Sequence, residues 1–382
     1  MKVGINARTL LPDYVEGLGG FTFEVAKRLV RDHPADEFLF FFDRPYDRRF
    51  ICGDNVRPIV LFPPTRHPLL SFWWFELSLV RALRRYRADV LLSADGFMSL
   101  RTAVPTLLVA HDVAFERYGQ GIDRVRRFYY RTMTPRFLRR AAAVVTVSEF
   151  SKRELMAAYG IDGQRIDVIY NGVSETFRPS TPAQQAQART RYASGCEYVL
   201  HVGAIHPRKN IANLLRAFDS YRRKSVRPMK LVLAGRLAWR YDDVLRGHSA
   251  MEHRDDVIFL GYVPAEALAG IVGAALAVAC VSHYEGFGLP VVEAMACGVP
   301  AIASVRGAIP EIAGDAALLV EPNDPEAIAA AMARIATDTT LRQDLIRRGF
   351  ERAAQFSWDT TASATWSRLL RISAQCEGRG LA

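Results

Sequence analysis

The stretch "HYEGFGLPVVEAMACGVP", residues 283–300, places two glutamates, Glu285 and Glu293, eight positions apart around a Gly/Pro-rich turn. An apolar run at 277–281 precedes the turn and is typical of a buried strand. Small and apolar residues follow over 289–297 and favour a helix. The pattern predicts a strand, a loop and a helix, with Glu285 in the loop and Glu293 about one turn into the helix.

Carboxylates at such a turn suit a ligand that carries hydroxyl groups. Gly286 and Gly288 let the backbone approach a ligand closely. A carboxylate near a helix N-terminus can accept two hydroxyls, as a ribose diol offers, while the other carboxylate and the loop amides suit a sugar ring. The alternative is an ordinary helix start, where the helix dipole favours negative charge. The glycines that flank the loop favour ligand binding.

The rest of the chain alternates short apolar runs with amphipathic helical segments over 382 residues. This alternation is typical of βαβ units, and the length suits two domains. Pro179 and Pro182 discourage regular structure, so we place the domain junction at about 172–190. The predicted fold is α/β, with two doubly wound domains facing a cleft. Strands are expected at 2–5, 38–42, 56–61, 90–92, 106–110, 143–147, 166–169, 198–202, 230–234, 257–259, 277–281, 300–304 and 317–320, and helices at 20–32, 72–87, 123–141, 149–159, 210–223, 264–274, 289–297, 325–336, 344–355 and from about 358.

Composition narrows the class of protein. The five cysteines are scattered and lack CxxC spacing, which argues against a disulfide framework or zinc site and favours the cytoplasm. The N-terminal apolar run is too short for a signal peptide. The uncharged stretch 267–284 divides into a helical and a β-rich half, and its apolar part is too short to span a membrane. A net charge of +10 favours anionic partners: nucleotide phosphates, an anionic membrane or nucleic acid.

A basic loop follows another predicted strand in "YVLHVGAIHPRKNIANLLRAF". Arg208 and Lys209 stand beside a helix N-terminus that Asn210 can cap. Two cations, exposed backbone amides and a favourable helix dipole form a site for a diphosphate. The alternative is a solvated basic turn.

Two further features belong to the first half. Gly19 and Gly20 lie in "EGLGGFTFEVAKRL", before a predicted helix. A dinucleotide fingerprint would require a third glycine where Thr22 stands, so we expect a flexible turn closing on a ligand instead. His111 directly follows a buried strand; a lone histidine is often structural, but the carboxyl end of a strand favours a functional role.

The segment 123–140 interleaves seven arginines with four aromatic residues. Three interpretations stay open: a basic surface that meets anionic lipid headgroups, a solvated helix face with core aromatics, and a nucleic-acid patch. No nucleic-acid fold signature accompanies it, so we expect no nucleic-acid partner.

Together these motifs resemble the family 4 retaining glycosyltransferases, which have the GT-B fold. The segment "EGFGLPVVEAMACGVPAIAS" is similar to the E-x7-E segment of that family. The resemblance spans almost the whole chain in the family's order. It is specific for fold and reaction class and weak for the identity of donor and acceptor. The other matching stretches are "GLGGFTFEVAKRL", "ADVLLSADG", "LLVAHDV", "VVTVSEFSKREL", "VIYNGV", "VGAIHPRKN", "LVLAG", "FLGYV", "RGAIPEIAGDAALLVEPND" and "FSWDTTA".

The resemblance implies a role for each matching position. The family often carries an arginine where Ala204 stands here, and Arg208 is expected to replace it. Val281 stands where proline is common, a mild departure. The remaining implied roles are Glu293 for the donor ribose hydroxyls; Glu285, Gly286, Phe287, Gly288 and Leu289 around the transferred sugar and diphosphate; Lys209 for the diphosphate; Gly19 and Gly20 near donor phosphate and acceptor; and His111 beside the donor sugar.

The resemblance also implies a domain plan and a reaction. An acceptor-binding domain is expected at 1–175 and a nucleotide-sugar-binding domain at 185–355, with the C-terminal helix 358–382 packing back on the first. The enzyme would transfer a hexosyl unit with retention from a nucleotide diphosphate sugar to a glycan or lipid-linked glycan in surface polysaccharide assembly. GDP-mannose is the first choice of donor, and no metal or other cofactor is required.

Two other classes of function stay open at this point. One is a nucleotide-sugar epimerase on the same fold, and the other is a non-catalytic protein that binds nucleotide sugar or nucleic acid. We expect a cytoplasmic protein with peripheral contact to the inner face of an anionic membrane through 123–140.

Overall fold

A computed structural model describes residues 1–11, 17–118 and 124–377. Every strand predicted from the sequence is present within two residues of its expected bounds. In chain order the strands are β1 Lys2–Asn6, β2 Glu37–Phe42, β3 Val56–Val60, β4 Val90–Ser93, β5 Thr106–Val109, β6 Ala143–Thr146, β7 Ile166–Val168, β8 Glu197–Val202, β9 Met229–Ala234, β10 Val257–Gly261, β11 Ala277–Cys280, β12 Ala301–Ser304 and β13 Ala317–Val320.

The α-helices lie between these strands, as βαβ units require. They are α1 Leu18–Asp32, α2 Pro68–Trp73, α3 Val80–Tyr86, α4 Ala114–Arg117, α5 Arg124–Arg140, α6 Glu149–Tyr159, α7 Pro182–Ala193, α8 Ile211–Lys224, α9 Asp242–Ser249, α10 Ala265–Gly273, α11 Leu289–Ala296, α12 Ile309–Ala313, α13 Pro325–Thr337, α14 Thr339–Ala353 and α15 Trp358–Glu377. A π-helical stretch, Trp74–Leu79, joins α2 to α3.

The chain divides into two compact units. The first contains 1–172 and the helix that starts at 358, and the second contains 173–357. The first sheet has the order β3-β2-β1-β4-β5-β6-β7, and the second has the order β10-β9-β8-β11-β12-β13. All neighbouring strands are parallel. The predicted pair of doubly wound α/β domains is confirmed.

Both sheets are built from strands that are apolar on both faces. The strand β2, "EFLFFF", is buried at every position after its first residue. The strand β11, "AVAC", is buried throughout. Helices cover both faces of a parallel sheet, so its strands appear as continuous apolar runs in the sequence. This is why the strand predictions were accurate.

The last helix, α15, packs against α1 in the first unit. The ring of His33 stacks on Trp366 with centroids 3.8 Å apart. Arg28 and Arg31 both form ion pairs with Asp359. Residues 378–382 of the expected C-terminal segment lie outside the described residues.

The polar stretch after residue 172 was predicted as irregular, and for α7 that prediction is wrong. Pro182 begins α7 because the first helical turn has no need of its missing N–H. Thr181 and Gln184 form a capping box, in which each side chain accepts a hydrogen bond from the other residue's backbone.

Other helix boundaries also differ from the predictions. The predicted helix 72–87 starts earlier, at Pro68, and 344–355 starts at Thr339, where Asp338 caps it. The helix predicted from 123 is described from Arg124, and residue 123 lies outside the described residues. Three short helices, α4, α9 and α12, were not predicted, because segments of four to eight residues carry little periodicity.

The uncharged stretch 267–284 divides as predicted, into the end of α10 and the strand β11. Among the described residues, no helix combines the length and the apolar character needed to cross a membrane.

Candidate active site

In the second sheet the order of the strands reverses at β8. The strands β9 and β10 are added on one side of β8, and β11 pairs with its other side although the two are far apart in sequence. Ligands in doubly wound sheets bind at the carboxyl ends of the strands beside such a point. Here those ends carry the loops 203–210 and 281–288. The amide of His283 donates to the carbonyl of Arg208 at 2.9 Å, and Asn210 Nδ2 donates to the carbonyl of Val281 at 3.0 Å. The two loops therefore form one surface.

Asn210 stands at the N-cap position of α8, as predicted, but its side chain makes no cap hydrogen bond. The amide donates to the carbonyls of Val281 and Pro322 instead. Asn210 thus ties the loop that follows β8 to those that follow β11 and β13.

Glu285 is the centre of the surface. Its carboxylate accepts a hydrogen bond from Lys209 Nζ at 2.6 Å and one from Arg208 Nη1 at 3.2 Å, and only 7% of the residue is exposed. Burial would raise the pKa of Glu285, but Lys209 and then Arg208 outweigh it and hold that pKa at about 2. Two cations against one carboxylate leave this group with a net charge of +1. An anionic ligand such as a diphosphate would complement that charge.

Glu293 lies on α11, about one turn after its first residue, as predicted. Pro290 stands in the first turn and Gly298 follows the end of the helix, also as predicted. Burial raises the pKa of Glu293 to about 7, and the positive charge of Lys209 opposes this only in part. A half-buried carboxyl group that titrates near neutral pH is characteristic of functional sites.

The loop between the two glutamates is held tightly. Gly288 precedes α11 with φ +105°, a left-handed conformation that favours glycine. Gly286 is also buried, and Leu289 is partly exposed. The ring of Phe287 is turned inward and packs edge-on against Phe356, with centroids 5.5 Å apart. Phe287 therefore fixes the loop through its side chain.

Gly307 holds Glu285 in place and was missed in the sequence. The amide of Ala308 donates to the carbonyl of Glu285 at 2.9 Å. Gly307 has φ +74°, and a Cβ atom there would lie 2.8 Å from both the backbone N and O of Glu285. The only sequence signal is the glycine in "VRGAIP", three residues after the predicted strand at 300–304.

Two buried histidines lie beside the basic loop. The ring of His206 stacks on Trp239, with centroids 4.2 Å apart. Burial, together with Arg208 and Lys209, lowers the pKa of His206 to about 3. Burial and Lys209 likewise lower that of His201 to about 4. Among the described residues, His206 Nδ1 is buried and makes no hydrogen bond, so it can serve a ligand or water.

In the first sheet the order of the strands reverses at β1, which pairs with β2 on one side and with β4 on the other. A buried polar network lies there, which the sequence analysis missed. Asn6 Nδ2 donates to Ser93 Oγ and to Asp95 Oδ2, each at 2.9 Å, and Arg8 forms an ion pair with Asp95. Asn6 and Ser93 directly follow the predicted strands 2–5 and 90–92, which was a usable signal, because ligands bind at those ends.

His111 lies after β5 in the same unit. Its Nε2 donates to the carbonyl of Ala94 at 2.9 Å, and its ring meets Phe21 of α1 edge-on at 4.8 Å. Burial lowers the pKa of His111, so the ring is neutral at pH 7. Gly19 and Gly20 were expected in a turn before the helix; they lie in the first turn of α1, which starts at Leu18 because the amide of Phe21 already bonds to the carbonyl of Gly17.

The predicted site residues thus fall into two groups. Arg208, Lys209 and 285–289 lie together with Glu293 in the second unit. Gly19, Gly20 and His111 belong to the first. In the described part of the chain, no three His, Cys, Asp or Glu side chains are grouped so that they could hold a metal ion.

Comparison with known proteins covers both units. The family model described as "Glycosyltransferase Family 4" matches residues 15–177, and the one described as "Glycosyl transferases group 1" matches residues 184–352. The "O-antigen chain mannosyltransferase B" of Escherichia coli is 32% identical over 362 residues, which cover 91% of this chain and 94% of that relative. The chain belongs to the family 4 glycosyltransferases. As a member of this family, the protein is a glycosyltransferase, an enzyme that transfers a sugar from a donor to an acceptor.

Solved structures show the fold of this glycosyltransferase. Sucrose-phosphate synthase from Thermosynechococcus elongatus aligns with a TM-score of 0.79 at 21% identity, covering 98% of this chain and 99% of that one. WaaG, a glycosyltransferase involved in lipopolysaccharide biosynthesis, aligns with a TM-score of 0.77 at 14% identity, covering 96% and 99%. The glycosyltransferase therefore has the GT-B fold, as the sequence indicated.

Proposed function

We propose that this glycosyltransferase transfers mannose, with retention of anomeric configuration, from GDP-mannose to a lipid-linked glycan during assembly of a surface polysaccharide. The observation that carries the proposal is the cluster of Arg208 and Lys209 around Glu285 at the carboxyl ends of β8 and β11. The choice of mannose is supported by the mannosyltransferase relative that aligns along nearly the whole chain.

The proposed roles follow from the charges of the second unit. Lys209 and Arg208 bind the donor diphosphate, on which negative charge grows as the bond between the anomeric carbon and the phosphate oxygen breaks. Glu293 accepts hydrogen bonds from the ribose hydroxyls. Glu285 and the amides of 286–289 orient the sugar, and the buried position of Glu285 keeps its ion pairs strong.

The first unit is proposed to supply the acceptor side of the reaction. The acceptor hydroxyl attacks the anomeric carbon from the face that the diphosphate leaves, and its proton passes to a departing phosphate oxygen. His111, neutral at pH 7, positions the transferred sugar through its ring. We place this work at the inner membrane face, where a lipid-linked acceptor would be found.

The alternatives from the sequence are not favoured. Both family models and the relative that aligns along nearly the whole chain are glycosyltransferases, which favours transfer over an epimerase or a non-catalytic binding protein.

The test is a transfer assay with labelled GDP-mannose and lipid-linked oligosaccharide extracted from cells that make such a polysaccharide. The proposal predicts label in the lipid fraction, an α-mannoside product by NMR, and much less transfer from UDP-glucose or ADP-glucose. Conversion of the donor to a free isomer without acceptor would favour the epimerase. Transfer only from a different nucleotide sugar would refute the choice of mannose.

A further inference from the structure

The first unit exposes a group of large apolar side chains around α2 and the start of α5. Leu69 is 72% exposed, Trp73 55% and Phe128 72%. The helices α2 and α5 are in contact, and Arg126 on α5 donates to the carbonyl of Arg66 just before α2. We call this surface the apolar patch; its members are Phe62, Leu69, Phe72, Trp73, Val125 and Phe128.

Only the segment 123–140 was predicted from the sequence as a candidate membrane-facing surface. The structure divides the aromatic residues of that segment between surface and core. Phe128 points outward, whereas Phe137 is buried and Tyr129 and Tyr130 contact the ring of Phe97. The surface therefore depends equally on α2, whose apolar residues at 69, 72 and 73 are all exposed. A soluble protein rarely exposes so many large apolar side chains together to solvent.

The charge around the patch has one sign. The segments 57–87 and 124–140 contain thirteen arginines and one carboxylate, Glu76. Glu76 is buried and accepts hydrogen bonds from the amide of Leu100 and from Ser99 Oγ. Among the exposed arginines are Arg66, two residues before α2, and Arg124, at the start of α5. An apolar surface surrounded by cations is complementary to an anionic phospholipid bilayer, whose phosphates lie above its acyl chains.

We propose that the apolar patch docks on anionic phospholipid, with Leu69, Trp73 and Phe128 entering the boundary between headgroups and acyl chains. Trp73 suits this depth because its indole has an apolar body and a polar N–H. The neighbouring arginines pair with lipid phosphates. The inference rests on the proposed function for its purpose, since a lipid-linked acceptor would be met at the same surface.

Two other occupants fit less well. A second copy of the chain would bring two arginine-rich surfaces together, and like charges oppose such contact. Nucleic acid would match the charge, but aliphatic side chains such as Leu69 and Val125 offer no stacking surface to bases.

The experiment is co-sedimentation of the full chain with vesicles of phosphatidylcholine alone and of phosphatidylcholine and phosphatidylglycerol at about 3:1. We compare the wild type with Leu69→Ser/Trp73→Ser/Phe128→Ser. A second variant, Arg66→Gln/Arg81→Gln/Arg84→Gln, removes the exposed Arg66 and two exposed arginines of α3, the helix that continues from α2 through the π-helical stretch. A matched control, Val226→Ser/Leu245→Ser/Leu370→Ser, removes three exposed apolar side chains elsewhere.

The wild type and the control should bind the anionic vesicles about tenfold or more better than the neutral ones, and less well in high salt. The patch variant should lose about tenfold or more of its binding to anionic vesicles, and the arginine variant should lose the preference for them. Equal binding by the patch variant and the wild type would overturn the proposal. So would a wild-type dimer that the patch variant converts to monomer, or vesicle binding that a competing RNA abolishes.

Quenching of wild-type tryptophan fluorescence by bromine-labelled lipid, reduced in Trp73→Phe, tests the depth without altering the apolar character of the patch. Absence of quenching would contradict the proposal even if the triple variant failed to fold. Vesicle binding needs neither donor nor acceptor, so it separates this inference from the proposed function. Vesicle docking without mannosyl transfer would support the membrane-docking surface and contradict the proposed function. Transfer to a lipid-linked acceptor without vesicle docking would support the proposed function and contradict the membrane-docking surface.

Discussion

Lys209 Nζ lies 2.6 Å from Glu285 Oε1, although 76 positions separate the two residues in the chain. The two residues meet because β8 and β11 are paired neighbours in the second sheet. Their ion pair joins the two loops at the carboxyl ends of those strands. The proposed donor site is built on this contact.

Removing the charge of Lys209 should stop transfer while the protein stays folded. We expect Lys209→Met to lower kcat/KM by about 100-fold or more, because the diphosphate loses a cation that acts as its charge grows. Arg208 still pairs with Glu285, which limits the loss of stability. The matched control is Lys230→Met, which breaks a 2.6 Å ion pair with Asp256 in the same unit. Equal kcat/KM losses in both variants would show that the effect is structural.

Glu293 should make stability depend on pH. Its pKa is raised from 4.5 to about 7, so between those values the folded chain keeps a proton that the unfolded chain has released. The free energy of unfolding should therefore fall as pH rises from 4.5 to 7, by about 3 kcal/mol in total from this group. Urea unfolding at pH 5 and pH 8 should show that decrease in the wild type relative to Glu293→Gln. The same decrease in both proteins would contradict the assignment.

Donor binding supplies a second readout for Glu293. Ribose hydroxyls donate to the ionised carboxylate, so GDP affinity of the wild type should rise between pH 6 and pH 8. The affinity of Glu293→Gln should change less over the same range.

Gly307 should be required for the position of Glu285. In Gly307→Ala the new Cβ would meet the backbone of Glu285 at 2.8 Å in a left-handed conformation, so we expect a loss of about 2 kcal/mol of stability and a fall in activity. Gly270→Ala is the control, since this position in α10 has open space around it. Activity should survive there, with stability unchanged or higher by up to about 1 kcal/mol. Full activity in Gly307→Ala would refute the role of this contact.

His111 should matter for transfer and little for nucleotide binding. We expect His111→Ala to bind GDP with nearly wild-type affinity by calorimetry and to lose most of its transfer rate. Because burial lowers the pKa of His111, any fall in wild-type activity caused by its protonation should appear at a lower pH than for an exposed histidine. His33→Ala, which removes the stacking on Trp366, serves as the control and should lose stability without losing transfer. Weakened GDP binding in His111→Ala would count against this division of roles.

Much of the fold could be predicted because its strands are buried on both faces. The run "EFLFFF" of β2 is unambiguous, and so is the turn between Glu285 and Glu293. Each of these two signals is local, because each is contained within a stretch of fewer than about twenty consecutive residues. The helix α7 was missed because Pro182 was taken as a breaker, when its position after Thr181 makes it a helix start.

The parts of the site that escaped prediction depend on contacts between distant segments. The sequence identified Lys209 and Glu285 singly, but not that they pair. It gave no reason to connect Gly307 with Glu285, because that contact arises only when β11 and β12 lie side by side. The bonds from Asn6 to Ser93 and Asp95 likewise follow from the pairing of β1 with β4.

The most direct test of the donor site is a thermal-shift titration of the wild type and Lys209→Met with GDP, UDP, ADP, their sugar conjugates and guanosine. A ligand that binds only the folded chain raises its Tm by mass action. We predict that GDP and GDP-mannose raise the Tm of the wild type more than the other nucleotides do, that guanosine without its diphosphate has little effect, and that Lys209→Met loses the response. No shift with any nucleotide at millimolar concentration, or an equal shift in Lys209→Met, would contradict the account.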